Sequence, residues 1–109
     1  MNILINTDNS IDGNERTNKY FSEAISKDLA RFENDITRIE VHLTDENGSK
    51  TGKDDKKCTM EARVKNHQPI VVSCNEDSIE KAMNIATTKL KSALTSLLGE
   101  LKSHRSVSY

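Results

Sequence analysis

The chain has no tryptophan, two phenylalanines, two tyrosines, two cysteines and one proline in 109 residues. With so few aromatics, a platform that stacks successive bases on rings is not expected. Cys58 and Cys74 are too few for a disulfide framework and form no CxxC pair, so they read as small buried hydrophobes. No window approaches the roughly 18 apolar residues of a membrane span, and MNILINTDNS has no basic head before an apolar run. A soluble, cytoplasmic protein with no membrane partner is therefore expected. An excess of one charge is missing too: 16 basic residues face 17 acidic ones, for a net charge of −1. Any contact with nucleic acid must come from a local patch, not from the overall charge.

What is present fits one domain with a modest core. Asn2–Thr7 alternates, with Ile3 and Ile5 on one side and Asn2, Leu4 and Asn6 on the other, as in a short strand. Asp8–Gly13 reads as a turn, and Asp12 with Glu15 as a capping box. Phe21, Ile25, Leu29, Phe32 and Ile36 then recur every three or four residues, which predicts a helix over about 14–34. Its outer face, with Arg16, Lys19, Glu23, Lys27, Asp28 and Arg31, mixes both signs as a solvated surface does.

Ile39, Val41 and Leu43 alternate with Glu40, His42 and Thr44, and Cys58, Met60, Ala62 and Val64 alternate with Thr59, Glu61, Arg63 and Lys65. Both runs are half-buried strands. Ile70, Val72 and Cys74 complete an antiparallel hairpin with the second run, and Pro69, lacking an N–H donor, favours a sheet edge. Asn75, Glu76, Asp77 and Ser78 form a helix start. The apolar stripe Ile79, Met83, Ala86, Leu90, Ala93, Leu94, Leu97, Leu98 and Leu101 carries that helix to about residue 102, with Gly99 as a weak point and SHRSVSY as a frayed tail.

The order β-α-β-β-β-α implies an α+β two-layer sandwich. Its four-stranded mixed sheet has the first strand parallel to the second, a meander through the rest, and both helices on one face. The opposite face, with Glu40, His42, Thr44, Glu61, Arg63 and Lys65, is left open. Residues 1–102 form the domain and 103–109 the C-terminal tail.

Several possible chemical sites lose to plainer explanations. DENGSKTGKDD has alternate ligand spacing at Asp45, Asn47 and Ser49, but Lys50 and Lys56 stand where a calcium loop needs glycine and an acid. A long connector from about Asp45 to Lys56 is expected instead. Cys58, Cys74 and His42 would suit zinc, but the alternation turns both thiols inward and the imidazole outward. A disulfide between Cys58 and Cys74 is conceivable if the hairpin register sets them opposite each other. His42, Glu40 and Glu61 are the nearest thing to a catalytic set, and such surface clusters are more often cross-strand polar pairs. No enzyme, metal, cofactor or small-molecule substrate is expected.

The stretches LARFENDITRIEVHLTDENG (29–48) and QPIVVSCNEDSIEKAMNIATTKLKSALT (68–95), in this element order, resemble the ribosome hibernation-promoting factor and ribosome-associated inhibitor family. This family is also called sigma-54 modulation proteins. The similarity covers residues 1 to about 102 and is to the short form. It implies a non-enzymatic cytoplasmic factor that lodges in the decoding channel of the small ribosomal subunit. There it would bind rRNA phosphates and block translation by occlusion during stress. Carried over by position, the RNA-binding candidates are Arg31, Lys81, Lys89 and Lys91; Arg63 and Lys65 are added because they belong to the open face. Asp28, Ser92, Ser96, Leu97 and Leu98 stand where short members are usually basic. They supply the alternative: a protein-interaction module on the same fold, forming a homodimer or binding a protein partner through the open face and the apolar end of the second helix.

Overall fold

The computed structural model describes the backbone of residues 1–7, 15–45 and 56–107, and the side chains of 1–7, 18–45 and 56–99. Four strands, β1 (Asn2–Thr7), β2 (Ile36–Asp45), β3 (Lys56–Val64) and β4 (Ile70–Glu76), form one sheet in the order β1-β2-β3-β4. β1 runs parallel to β2, and the β2-β3-β4 meander is antiparallel. Two helices, α1 (Glu15–Asp28) and α2 (Ile79–Val107), complete the expected order.

Strand alternation explains the layering. Ile39, Val41 and Leu43 of β2 and Cys58, Met60, Ala62 and Val64 of β3 turn inward. They join Ile25 and Leu29 from the α1 side and Ala82, Met83, Ala86, Leu90 and Leu94 of α2 in a single core. Each large aliphatic residue buried there contributes about 1.5–3 kcal/mol. The register sets Cys58 opposite Cys74, Met60 opposite Val72 and Ala62 opposite Ile70, the face expected for the hairpin. Pro69 directly precedes β4, which is an edge strand. The turn between β3 and β4 carries Asn66 at φ 63°, a left-handed conformation that asparagine tolerates well.

Several boundaries differ from expectation. The first helix stops at Asp28, not near residue 34, and a single 3-10 turn, Ala30–Phe32, follows it. Leu29 leaves helical geometry (φ −107°, ψ 15°), and the next bonds skip one residue fewer: Phe32 N–H to Leu29 O at 2.9 Å and Glu33 N–H to Ala30 O at 3.1 Å. The tighter turn still brings Phe32 inward, so the apolar period continues past the helix itself. Ile36, the last position of that stripe, opens β2. An irregularity between Ile36 and Arg38 lets Ile36 and Ile39 share the core face. Lys65 lies in the turn after β3 and not on the strand. At the other end, α2 continues through Gly99 and the stretch expected as tail to Val107.

The strands bordering the central connector are paired to their ends, with Asp45 opposite Lys56 in an ion pair of 3.1 Å. The connector between them, the turn over residues 8–13 and the Asp12–Glu15 capping box lie outside the described residues or side chains.

Candidate functional site

Three of the six RNA-binding candidates stand on elements that join at one corner of the molecule, formed by the 3-10 turn, the start of β2, the turn after β3 and the later part of α2. Leu29 and Phe32 are buried, so the intervening Arg31 is turned outward. Its guanidinium carbon lies 4.6 Å above the centroid of the Phe32 ring, and its Nη2 donates to Thr95 Oγ1 at 2.5 Å. Thr95 Oγ1 in turn donates to the carbonyl of Lys91 one turn earlier, at 2.8 Å, so Lys91 and Thr95 share a helix face. Across the corner, the Asp35 carbonyl accepts from the Lys65 N–H at 2.9 Å, tying the β3–β4 turn to the start of β2. Among the described residues, Arg31, Lys65 and Lys91 are exposed and pair with no acid.

The other three candidates are placed elsewhere and already engaged. Lys81 lies near the start of α2, about 21 Å along the axis from Thr95, and pairs with Asp77 at 3.2 Å. Lys89 projects from the other side of α2 and donates to the Ser73 carbonyl of β4 at 3.0 Å, fastening the helix to the sheet edge. Arg63 lies on the open face, with its Nε 3.3 Å from Glu61 Oε1. Its carbonyl accepts from Thr37 Oγ1 at 3.2 Å.

A cleft of about 290 Å³ opens at the same corner, lined by Arg31, Phe32, Asp35, Thr95, Leu98 and Gly99. Only Arg31 among these was singled out as an RNA-binding residue from sequence. Phe32 and Leu98 belong to the apolar stripes of the two helices, Leu98 at the apolar end offered to a protein partner, and Thr95 and Asp35 are given no role there. Their meeting depends on a contact 64 residues apart in the chain, between Arg31 and Thr95.

The open face is patterned in rows. Glu40 lies directly opposite Glu61, and Arg38 opposite Arg63. Like charges in register oppose pairing, and each acid is compensated along its own strand, by Arg38 at 3.5 Å and Arg63 at 3.3 Å. Leu4 and Val71 flank the two glutamates on the outer strands and are exposed. His42 is exposed on the same face, while Cys58 and Cys74 are buried on the other side as free thiols. Cys74 Sγ donates to the Ala82 carbonyl at 3.0 Å. Burial pushes the Cys74 thiol up and the Cys58 thiol up to about 12, with the nearby Cys74 adding to the latter shift. Among the described residues, no three His, Cys, Asp or Glu side chains gather as a metal site, and no helix is long and apolar enough to cross a membrane.

The sequence profile of the family described as sigma 54 modulation protein / S30EA ribosomal protein matches residues 4–102. Among solved structures, the Thermus thermophilus Protein Y N-terminal domain superposes with a TM-score of 0.70 at 13% identity, covering 89% of this chain and 99% of that one. A ribosomal subunit interface protein from Coxiella burnetii superposes with a TM-score of 0.67 at 17% identity, covering 91% of this chain and 99% of that one. At these identities the likeness is one of fold. No curated protein sequence matches the chain.

Proposed function

Because the chain belongs to the sigma 54 modulation protein / S30EA ribosomal protein family, we propose that it is a stress or hibernation factor. It binds the small ribosomal subunit through rRNA phosphates and blocks translation by occupying space. The supporting observation is the corner itself: Arg31, Lys65 and Lys91 stand on the elements that join there, exposed and without acidic partners among the described residues. Cations free of counter-charge can exchange condensed ions for phosphate contacts, which is where most backbone affinity arises. Lys81 and Arg63 have less to offer, since each is already paired with an acid, and Lys89 is held by the Ser73 carbonyl. Among the described residues, Arg31 is held only by a hydroxyl and an aromatic face and keeps its charge uncompensated.

Occlusion needs no reaction, so the folded body and its contacts suffice. Three phosphate contacts give an expected slope of log K against log salt of about −2 to −3. Equilibrium binding of the labelled protein to purified small subunits over a salt series measures it. Reversing charge at Arg31 and Lys91 should weaken binding and flatten the slope, whereas Lys81→Glu should change it little. Equal effects from all three substitutions would remove the corner from the interface.

A second use of the fold draws on the open face. Its arginines are balanced by glutamates and its outer rows carry exposed Leu4 and Val71, a surface better suited to protein than to phosphate. A homodimer or protein partner on that face would appear as a raised mass in solution or in complex, lowered by Leu4→Lys with Val71→Lys.

A further inference from the structure

We propose that the cleft at the Arg31 corner is a binding site for an unpaired guanine base. The site deepens the ribosomal RNA proposal by naming what one part of the interface reads, but its chemistry stands on the cleft alone.

A cation and an anion line this cleft without pairing with each other. Arg31 is directed to Thr95 and stacked over Phe32, so its long side chain is ordered before any ligand arrives. Asp35 is held from both sides of its backbone, its N–H donating to Phe32 O at 2.9 Å and its carbonyl accepting from Lys65 N–H at 2.9 Å. Asp35 is half-buried as a residue, and its carboxylate has no partner among the described residues. A phosphate outside the cleft meets the cations of the corner, but one seated inside it would face Asp35 as well as Arg31, and a simple cation there meets the opposite difficulty. The cleft therefore asks for a ligand with paired donors on one edge and paired acceptors on another.

Guanine has that distribution. Its N1–H and N2–H lie side by side and match the two oxygens of a carboxylate, while O6 and N7 accept together from the fork of a guanidinium. Adenine sets its N6 amine beside N7, bringing a donor against arginine, and uracil and cytosine lack a second edge of this kind. Phe32 and Leu98 give the cleft apolar walls, and Gly99 contributes no side chain. A volume of about 290 Å³ lies at the small end of ligand sites, suited to a single base and its sugar.

The test follows backbone amide signals of Asp35, Thr95 and Gly99 in the full chain by NMR. One arm titrates the mononucleotides GMP, IMP and AMP; the other titrates single-stranded UUGUU, UUIUU and UUAUU, where inosine lacks the N2 amine. Guanine should shift all three signals, inosine should bind about ten-fold or more weakly, and adenine should leave them in place. Asp35→Asn, which replaces one acceptor by a donor, should erase the preference of guanine over inosine while the spectrum stays dispersed. Arg31→Lys keeps the charge but loses the fork, and should lower guanine affinity as well. Preference in both arms means any guanine nucleotide is accepted, and preference in the pentamers alone means the source is RNA. Equal response to all bases, or no response to guanine in either arm, overturns the site. Salt-dependent binding to small subunits with no base preference would remove the guanine site and keep the proposed function; the reverse pattern would do the opposite.

Discussion

At the scale of residues, Cys58 shows how burial becomes a stability signal. Fully enclosed between β3 and α2, with its Sγ 3.9 Å from Met83 Sδ, its thiol is pushed from the ordinary value 9.0 up to about 12, chiefly because the thiolate would lose its water. The folded state thus keeps a proton that the unfolded chain releases near pH 9. Its stabilising contribution is complete below that pH and is lost progressively as pH rises from about 9 to about 12. The melting temperature should fall across this window, and Cys58→Ala should fall less steeply; parallel slopes for the two proteins would contradict the assignment. The inward direction of Cys58 and Cys74 was legible from alternation alone. What alternation could not supply was Arg31's surroundings, because Phe32 below it and Thr95 beside it come together only after the chain has folded.

Among elements, the strands could be read closely and the helix ends could not. Period-two alternation names a face directly, so the Cys58–Cys74, Met60–Val72 and Ala62–Ile70 pairs follow from sequence once the hairpin is assumed. Helical period is less discriminating. Phe32 and Ile36 continue the α1 stripe although a 3-10 turn and a bulged strand start carry them, since all three devices can point a side chain at the same core. The start of α2 was easier, because Ser78 Oγ accepts from the Lys81 N–H at 3.1 Å as an N-cap should. Ser78→Ala should therefore cost about 1 kcal/mol, read as a lower midpoint in urea. Gly99 reads as a weak point within the helix, and α2 passes through it, where a Cβ would meet nothing within 4 Å. Gly99→Ala should stabilise by about 0.5–1 kcal/mol, checked in the same titration.

For the whole molecule, the β-α-β-β-β-α order determined the two-layer fold, and the family follows from the profile over residues 4–102. Which cations act was not written in the order. All six candidates are basic side chains in a chain of net charge −1, and only three-dimensional neighbours separate them. Asp77, Glu61 and the Ser73 carbonyl engage Lys81, Arg63 and Lys89, while Arg31, Lys65 and Lys91 have no acidic partner among the described residues. Under the proposed function, mixed charge nearby, including Asp35, would make binding depend on a few aimed contacts more than on a broad positive field.

Association with the small ribosomal subunit through this corner can be read from sedimentation of stationary-phase extract at low salt. The protein should travel with small subunits, and Arg31→Glu with Lys91→Glu should move it to the free fraction, the variant remaining folded by circular dichroism. Wild-type protein found wholly in the free fraction would contradict it.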